Sequence, residues 1–164
     1  MLYVMCGLPG SGKSTFARWI GGYIISTDKI RKFLTGKEND FSYDELVFHL
    51  AREMIKYFLA RGEDVVYDAT NLRRRQRKII KNIAGFQPII LIWLDCPLSI
   101  ALARNAKRSW SVPESVIRKM AKNFEPPQKE EGFFVWRIPC KNGVCKRKLK
   151  KKLFPGNRRK IQNA

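Results

Sequence analysis

The stretch GLPGSGKS at residues 7–14 constrains this chain more than any other feature. It fits G-x-x-x-x-G-K-[ST] and sits between an apolar run, LYVMC (2–6), and a segment from about Lys13 to Ile20 with helical character. A strand–loop–helix unit is the context that gives this pattern its chemistry. The glycines let backbone N–H groups turn toward phosphate oxygens, and the helix start behind them adds a favourable dipole. Gly10, Ser11, Gly12, Lys13, Ser14 and Thr15 are therefore the candidate polyphosphate cradle. Lys13 can reach β- and γ-phosphates, and the Ser14 hydroxyl can ligate Mg²⁺.

Beyond this loop, strand-like and helix-like segments alternate. YIIS (23–26) is a second strand, and a helix is expected from near Asp28 to Gly36. SYDE (42–45) has the form of a capping box, with Ser42 as N-cap and Glu45 reaching back. Leu46, Leu50, Met54 and Phe58 follow on one helix face, and Gly62 ends that helix. DVVYDAT (64–70) is a third strand. Asn71 is placed to cap the next helix, with Ile79, Ile80 and Ile83 facing inward. PIILIWLD (88–95) is apolar throughout, like a parallel strand covered on both faces. A helix runs from about Pro97 into ALARNAKR, SVPE (111–114) is another capping box opening a helix to about Phe124, and FFVWRI (133–138) is the last core strand.

This order predicts an α/β fold with a parallel β-sheet flanked by helices on both faces. One domain is expected over 1–140, followed by a basic C-terminal arm or hairpin over 141–164. Ligands in such sheets bind at the carboxyl ends of the strands, where Asp28, Asp68 and Asp95 all fall with the Gly-rich loop.

Charge adds a second constraint. The chain carries 33 Lys and Arg against 14 Asp and Glu, a net charge of +19. Eleven basic residues and no acidic one follow Glu131, notably in KRKLKKK and NRRK. Such a potential attracts polyanions, nucleic acid above all, although a solubilising tail has the same composition. No apolar run is long enough to span a bilayer, and MLYVMCGLPG lacks the basic region and cleavage site of a signal peptide. A cytoplasmic location with no membrane partner is expected. Cys6 and Cys96 each end an apolar run and read as buried thiols. Cys140 and Cys145 flank KNGV, whose Asn-Gly favours a tight turn, so they could pair across a hairpin. Two cysteines are too few for a zinc site.

A phosphate loop implies a nucleoside triphosphate and leaves the acceptor open. Transfer to a hydroxyl needs a base near that hydroxyl. Asp28, at the end of the second strand and the start of a helix, can take the proton as the oxygen attacks the γ-phosphorus; an N-cap is its plainer role. Arg31 lies on the same helix face and could grip an acceptor phosphate. Arg104 and Arg108, at i and i+4, could close over the transferring phosphate as a lid. Asp68 in YDATN could hold Mg²⁺ through water, and Asn71 and Arg74 are candidate acceptor contacts. RRRQRK (73–78) is either a solvated helix face or a phosphate track. His49, the only histidine, reads as a core or partly buried residue. Trp93 reads as core, and Trp110, beside the lid, as a candidate for stacking on a base.

The Gly-rich loop, STDKIR, VVYDATN, RNAKR and VPESVIRKMAKNFEPPQKEEGF together resemble the P-loop polynucleotide 5′-hydroxyl kinase family over about residues 2–138. The resemblance implies a P-loop kinase fold with a helical lid, the use of ATP and Mg²⁺, and a DNA or RNA acceptor with a 5′-OH end. It implies Asp28 as general base, Arg31 on the acceptor phosphate, Arg104 and Arg108 in the lid, and Lys13 and Ser14 on the donor. The family's relatives also include kinases of nucleotide sugars and of a seryl-tRNA, so the alternatives are a kinase of a small hydroxyl substrate such as a nucleotide sugar, a tRNA kinase, and a non-catalytic ATP-gated nucleic-acid-binding module. The basic arm is not a general feature of the family.

Overall fold

The computed structural model describes residues 1–140; the expected arm, and with it Cys145, lies outside the described residues. Five strands form one sheet: β1 Leu2–Cys6, β2 Tyr23–Ser26, β3 Val65–Asp68, β4 Ile89–Asp95 and β5 Phe134–Pro139. Their order is β2-β3-β1-β4-β5 and every pairing is parallel. Parallel neighbours need crossovers, and helices supply them: α1 Lys13–Ile20, α2 Thr27–Thr35, α3 Asp44–Ala60, α4 Arg74–Ala84, α5 Leu98–Ala106 and α6 Glu114–Lys122. This is the expected P-loop kinase architecture.

Alternation along the central strands divides the core. Leu2, Val4 and Cys6 of β1 pack with Val65, Tyr67 and Leu91 under α3 and α4. Tyr3 and Met5 point the other way, with Val66, Ile92 and Leu94 under Phe16, Ala17 and Ile20 of α1. β1 and β3 are buried at every position, as strands covered on both faces must be.

Local expectations are corrected in five places. The buried face of α3 is Val47, Ala51, Ile55 and Leu59, while Leu46 and Met54 are exposed. Ile80 of α4 is buried but Ile79 is exposed. Neither expected capping box forms: α3 begins after Tyr43, with the Ser42 hydroxyl donating to Asp40, and α6 begins after Pro113, with Glu114 bonded to Arg118. Arg73, not Asn71, is the N-cap of α4.

Candidate active site

The carboxyl ends of β1, β2 and β3 open into a cleft of about 940 Å³. Its floor is the loop between β1 and α1. The N-terminus of α1 has no side-chain cap, so its N–H groups face whatever the loop binds. Gly12, the residue before the helix, has φ 96°, and Gly10 has φ 83°. A Cβ on Gly10 would collide with the Ala101 carbonyl of α5, so the loop and that helix touch backbone to backbone. Lys13 is buried and its Nζ donates to the Leu8 carbonyl at 2.8 Å. Burial holds its pKa below the usual lysine value, opposed by the charges of Asp68 and Asp28. Ser14 and Thr15 line the cleft. The Ser11 hydroxyl is buried, with no hydrogen-bond partner among the described residues.

Facing this floor is α2. Ser26 caps it, its hydroxyl accepting from Lys29 N at 3.5 Å. Asp28 is therefore released from the capping role and stands in the first turn, lining the cleft. Burial raises its carboxyl above the ordinary aspartate range, and Asp68 adds to this, while Arg31, Lys13 and Arg108 oppose it. Arg31 Nη1 donates to Asp28 Oδ1 at 2.8 Å, and Arg31 Nε to Asp44 Oδ1 at 2.6 Å. The guanidinium also lies 5.0 Å from the Phe41 ring centroid and 5.8 Å from that of Phe48. Arg31 thus arrives in the cleft already held by two carboxylates and two rings. Asp44, Phe41, Phe48 and Glu38 line this end of the cleft and were not singled out from the sequence.

The third wall is the segment from α5 to α6. Arg104 reaches over the loop, its Nη1 3.9 Å from where a Gly12 Cβ would stand. Arg108 lies past the end of α5 rather than on it, in a turn closed by its N–H on the Asn105 carbonyl at 3.1 Å. Its guanidinium stacks 4.5 Å from the Trp110 ring. Both arginines line the cleft, as does Trp110. Buried Asn105 pins the connecting loop by donating to Val112 O at 2.8 Å and accepting from Val112 N at 3.1 Å.

Asp68 ends β3, is buried and lines the cleft. Asn71 and Arg74, expected to contact the acceptor, are not among the cleft-lining residues. Asn71 is buried with φ 45°, and its amide donates to Met5 O at 2.7 Å, tying the end of β3 to β1. Arg74 is exposed, 3.9 Å from Glu131. Within the basic run, Arg77 is wholly buried: Nε and Nη2 each meet Glu131 at 2.7 Å, and Nη1 donates to Asn71 O and Leu72 O at 3.1 Å. That run is therefore partly a strut, which neither a solvated face nor a phosphate track describes.

The remaining expectations divide. His49 is exposed, beside Ser42, Tyr43 and Arg52, not in the core. Trp93 is partly buried against Phe124 and covered by Arg137. Cys6 and Cys96 are buried thiols, each pushed up to about 12 by burial. Asp95, at the rim as expected, is engaged by Arg137 at 2.6 Å.

The oxygen donors suit Mg²⁺. Ser14 and Asp68 line the cleft with hard oxygen donors, and no cluster of three or more His, Cys, Asp or Glu forms a cage among the described residues. Mg²⁺ characteristically takes one or two protein oxygens and completes its shell with phosphate and water. Ser14 and Asp68 would hold the ion, which would supply positive charge beside the phosphates.

The fold and its phosphate-loop signature are those of the P-loop kinases. Residues 2–127 match the model of a family described as an AAA domain (AAA_33), and the chain belongs to that family. It is 32% identical to an L-seryl-tRNA(Sec) kinase of Methanococcus maripaludis, over 85% of this chain and 57% of that protein. It is 31% identical to a protein of Autographa californica nuclear polyhedrosis virus named for a bifunctional polynucleotide kinase/RNA ligase, over 75% of this chain and 20% of that one. The chain thus spans less than two thirds of the length of these relatives. Among solved structures, a chain of the Pnkp1/Rnl/Hen1 RNA repair complex superimposes with a TM-score of 0.66 at 25% identity, covering 74% of this chain and 43% of that one. Among the described residues, no helix is long and apolar enough to cross a membrane.

Proposed function

We propose that this protein transfers the γ-phosphoryl group of ATP to a hydroxyl carried by nucleic acid, foremost the 5′-hydroxyl of DNA or RNA. The observation that supports this most directly is the convergence of Asp28, Lys13, Arg104 and Arg108 on one cleft. Lys13 and the α1 N-terminus hold the β- and γ-phosphates. Asp28 accepts the proton of the attacking hydroxyl as its oxygen bonds to the γ-phosphorus and the bond to the bridging oxygen of the leaving ADP breaks. Arg104 and Arg108 stabilise charge on the moving phosphoryl group. The raised Asp28 pKa makes it a stronger base than a free aspartate, closer to the ideal for a catalyst working near neutrality. The large basic excess suits a polyanionic acceptor.

A second reading, transfer to the seryl hydroxyl of an aminoacylated tRNA, is favoured by the 32% identity to the seryl-tRNA kinase. It also agrees with Arg31 being neutralised by Asp28 and Asp44, which leaves that guanidinium less able to grip an acceptor phosphate.

The test is transfer of labelled γ-phosphate, with Mg²⁺, to 5′-hydroxyl oligonucleotides, to the same oligonucleotides already 5′-phosphorylated, and to seryl-tRNA. Labelling of the 5′-hydroxyl set alone supports the first reading. Label on seryl-tRNA that mild alkali releases with the aminoacyl ester supports the second. Absence of labelling in all three, with ATP bound, overturns both.

A further inference from the structure

The inner face of α2 supplies Asp28 and Arg31 to the cleft; its outer face has no assigned role. That outer face carries Lys29, Lys32 and Phe33, all exposed. Lys29 and Phe33 are four residues apart, so they stand over one another on the helix, with Lys32 beside them toward the Asp28 side. Phe33 is 87% exposed, which is unusual for a phenylalanine on a regular helix of a chain with a well-filled core. It is not isolated. Phe41, 51% exposed, and Tyr43, 55% exposed, follow within ten residues, and Phe41 also lines the cleft. Lysines and exposed rings thus follow one another along α2 and the segment after it, and of these residues Phe41 reaches the cleft.

We propose that this surface, Lys29, Lys32 and Phe33 with Phe41 at the cleft mouth, is a docking platform for single-stranded nucleic acid leading away from the acceptor hydroxyl. The proposal rests on the reading of the acceptor as nucleic acid. Charge complementarity and ring exposure select the occupant. A flexible strand carries an anionic phosphate and a stackable base at each step, and a lysine–aromatic surface offers a partner to both. A protein helix seeking an apolar groove would find no groove here and two ammonium groups. Of the carboxylates nearby, Glu38 faces Lys32 at 3.9 Å and partly offsets its charge, and Asp40 accepts from Ser42 and keeps its own. Placement matters as well. Phe33 is five residues beyond Asp28, about 7.5 Å along the helix axis by the usual rise per residue. Phe33 stands on the other face of the helix, so a strand whose terminal hydroxyl lies at Asp28 would pass around α2 to reach it.

The full chain is assayed with 5′-hydroxyl oligonucleotides two and ten nucleotides long, DNA and RNA, by fluorescence anisotropy and by phosphate transfer. Phe33→Ala is expected to weaken binding of the ten-mer, and to raise its KM, by about ten-fold, the scale of one lost base–aromatic stack. ATP affinity and turnover of the dinucleotide should be unchanged. The double variant Lys29→Ala/Lys32→Ala should flatten the salt dependence of ten-mer binding by about 1.4 in log–log slope, from two lost single-strand phosphate contacts. Both substitutions are at exposed positions, and an unchanged thermal transition serves as the folding control. Phe33-dependent binding without phosphate transfer would sink the kinase reading and leave the platform standing. Transfer to both lengths with Phe33→Ala indistinguishable from the parent would do the reverse. An unmodified protein that binds no ten-mer overturns the platform outright.

Discussion

The two halves of the cleft are built from different materials. The half around the phosphate loop is framed by backbone, a loop, a helix start and a strand end stitched to its neighbour by Asn71, with Lys13 and Ser14 set on that frame. The acceptor half is side chains: Asp28, Arg31 and Asp44 in a chain of ion pairs, enclosed by Phe41 and Phe48. Backbone cradles serve one ligand group well and tolerate little change. Side-chain pockets can be altered residue by residue. The same frame can therefore keep its nucleotide while its acceptor differs, as the different substrates named for its relatives illustrate.

That contrast can be broken experimentally. The largest effect is expected from Asp28→Ala, which should lower turnover by about 10²–10⁴-fold, the usual range for a lost general base, with ATP affinity nearly intact. Single-turnover kinetics beside ATP titration would decide it, and loss of ATP binding would count against the base role. Glu131→Ala should destabilise the protein by about 3–5 kcal/mol, because it strands the buried Arg77 guanidinium. Urea unfolding measures this, and an unchanged midpoint would show that the strut is dispensable. Arg104→Ala should slow transfer by about 10²–10³-fold, in the manner of a lost transition-state donor, with little change in acceptor KM.

The smallest effect is on pH dependence. As the proposed base, Asp28 must be ionised, and burial raises its pKa, so activity should fall on acidification at a higher pH than for an ordinary aspartate. Asp44→Asn removes a neighbouring negative charge and leaves Arg31 wholly to Asp28. Both changes favour the ionised base. The acid limb of the rate profile should therefore move to lower pH; movement to higher pH would mean that Asp44 does not act through Arg31.

Legibility followed the same division. The donor half could be read because its chemistry lies in eight consecutive residues, and the strand order follows from alternating segments. The acceptor half could be read where a residue stands at a strand end, as Asp28 does, or one helical turn on from it, as Arg31 does. Asp44 and Phe48 reach Arg31 through the packing of α3 on α2, which no local pattern encodes. In α3 itself, two stripes run side by side at the same spacing, and the larger side chains of Leu46, Leu50, Met54 and Phe58 mark the less buried one, in which Phe58 packs against the core while Leu46 and Met54 are exposed. The stripe that is buried includes Ala51, whose small side chain gives a weaker hydrophobic signal. Arg77 was hidden by its neighbours: a basic run looks solvated, and its partner is 54 residues away.

That partner sets a limit on dissection. The family match ends at residue 127, yet Glu131 holds the buried Arg77, and β5 completes the sheet beyond it. A fragment trimmed to the matched boundary would expose one side of β4 and leave a guanidinium in the core without its counter-ion. The smallest autonomous unit of this protein is therefore set by an electrostatic debt incurred on α4, and it extends at least through the last strand.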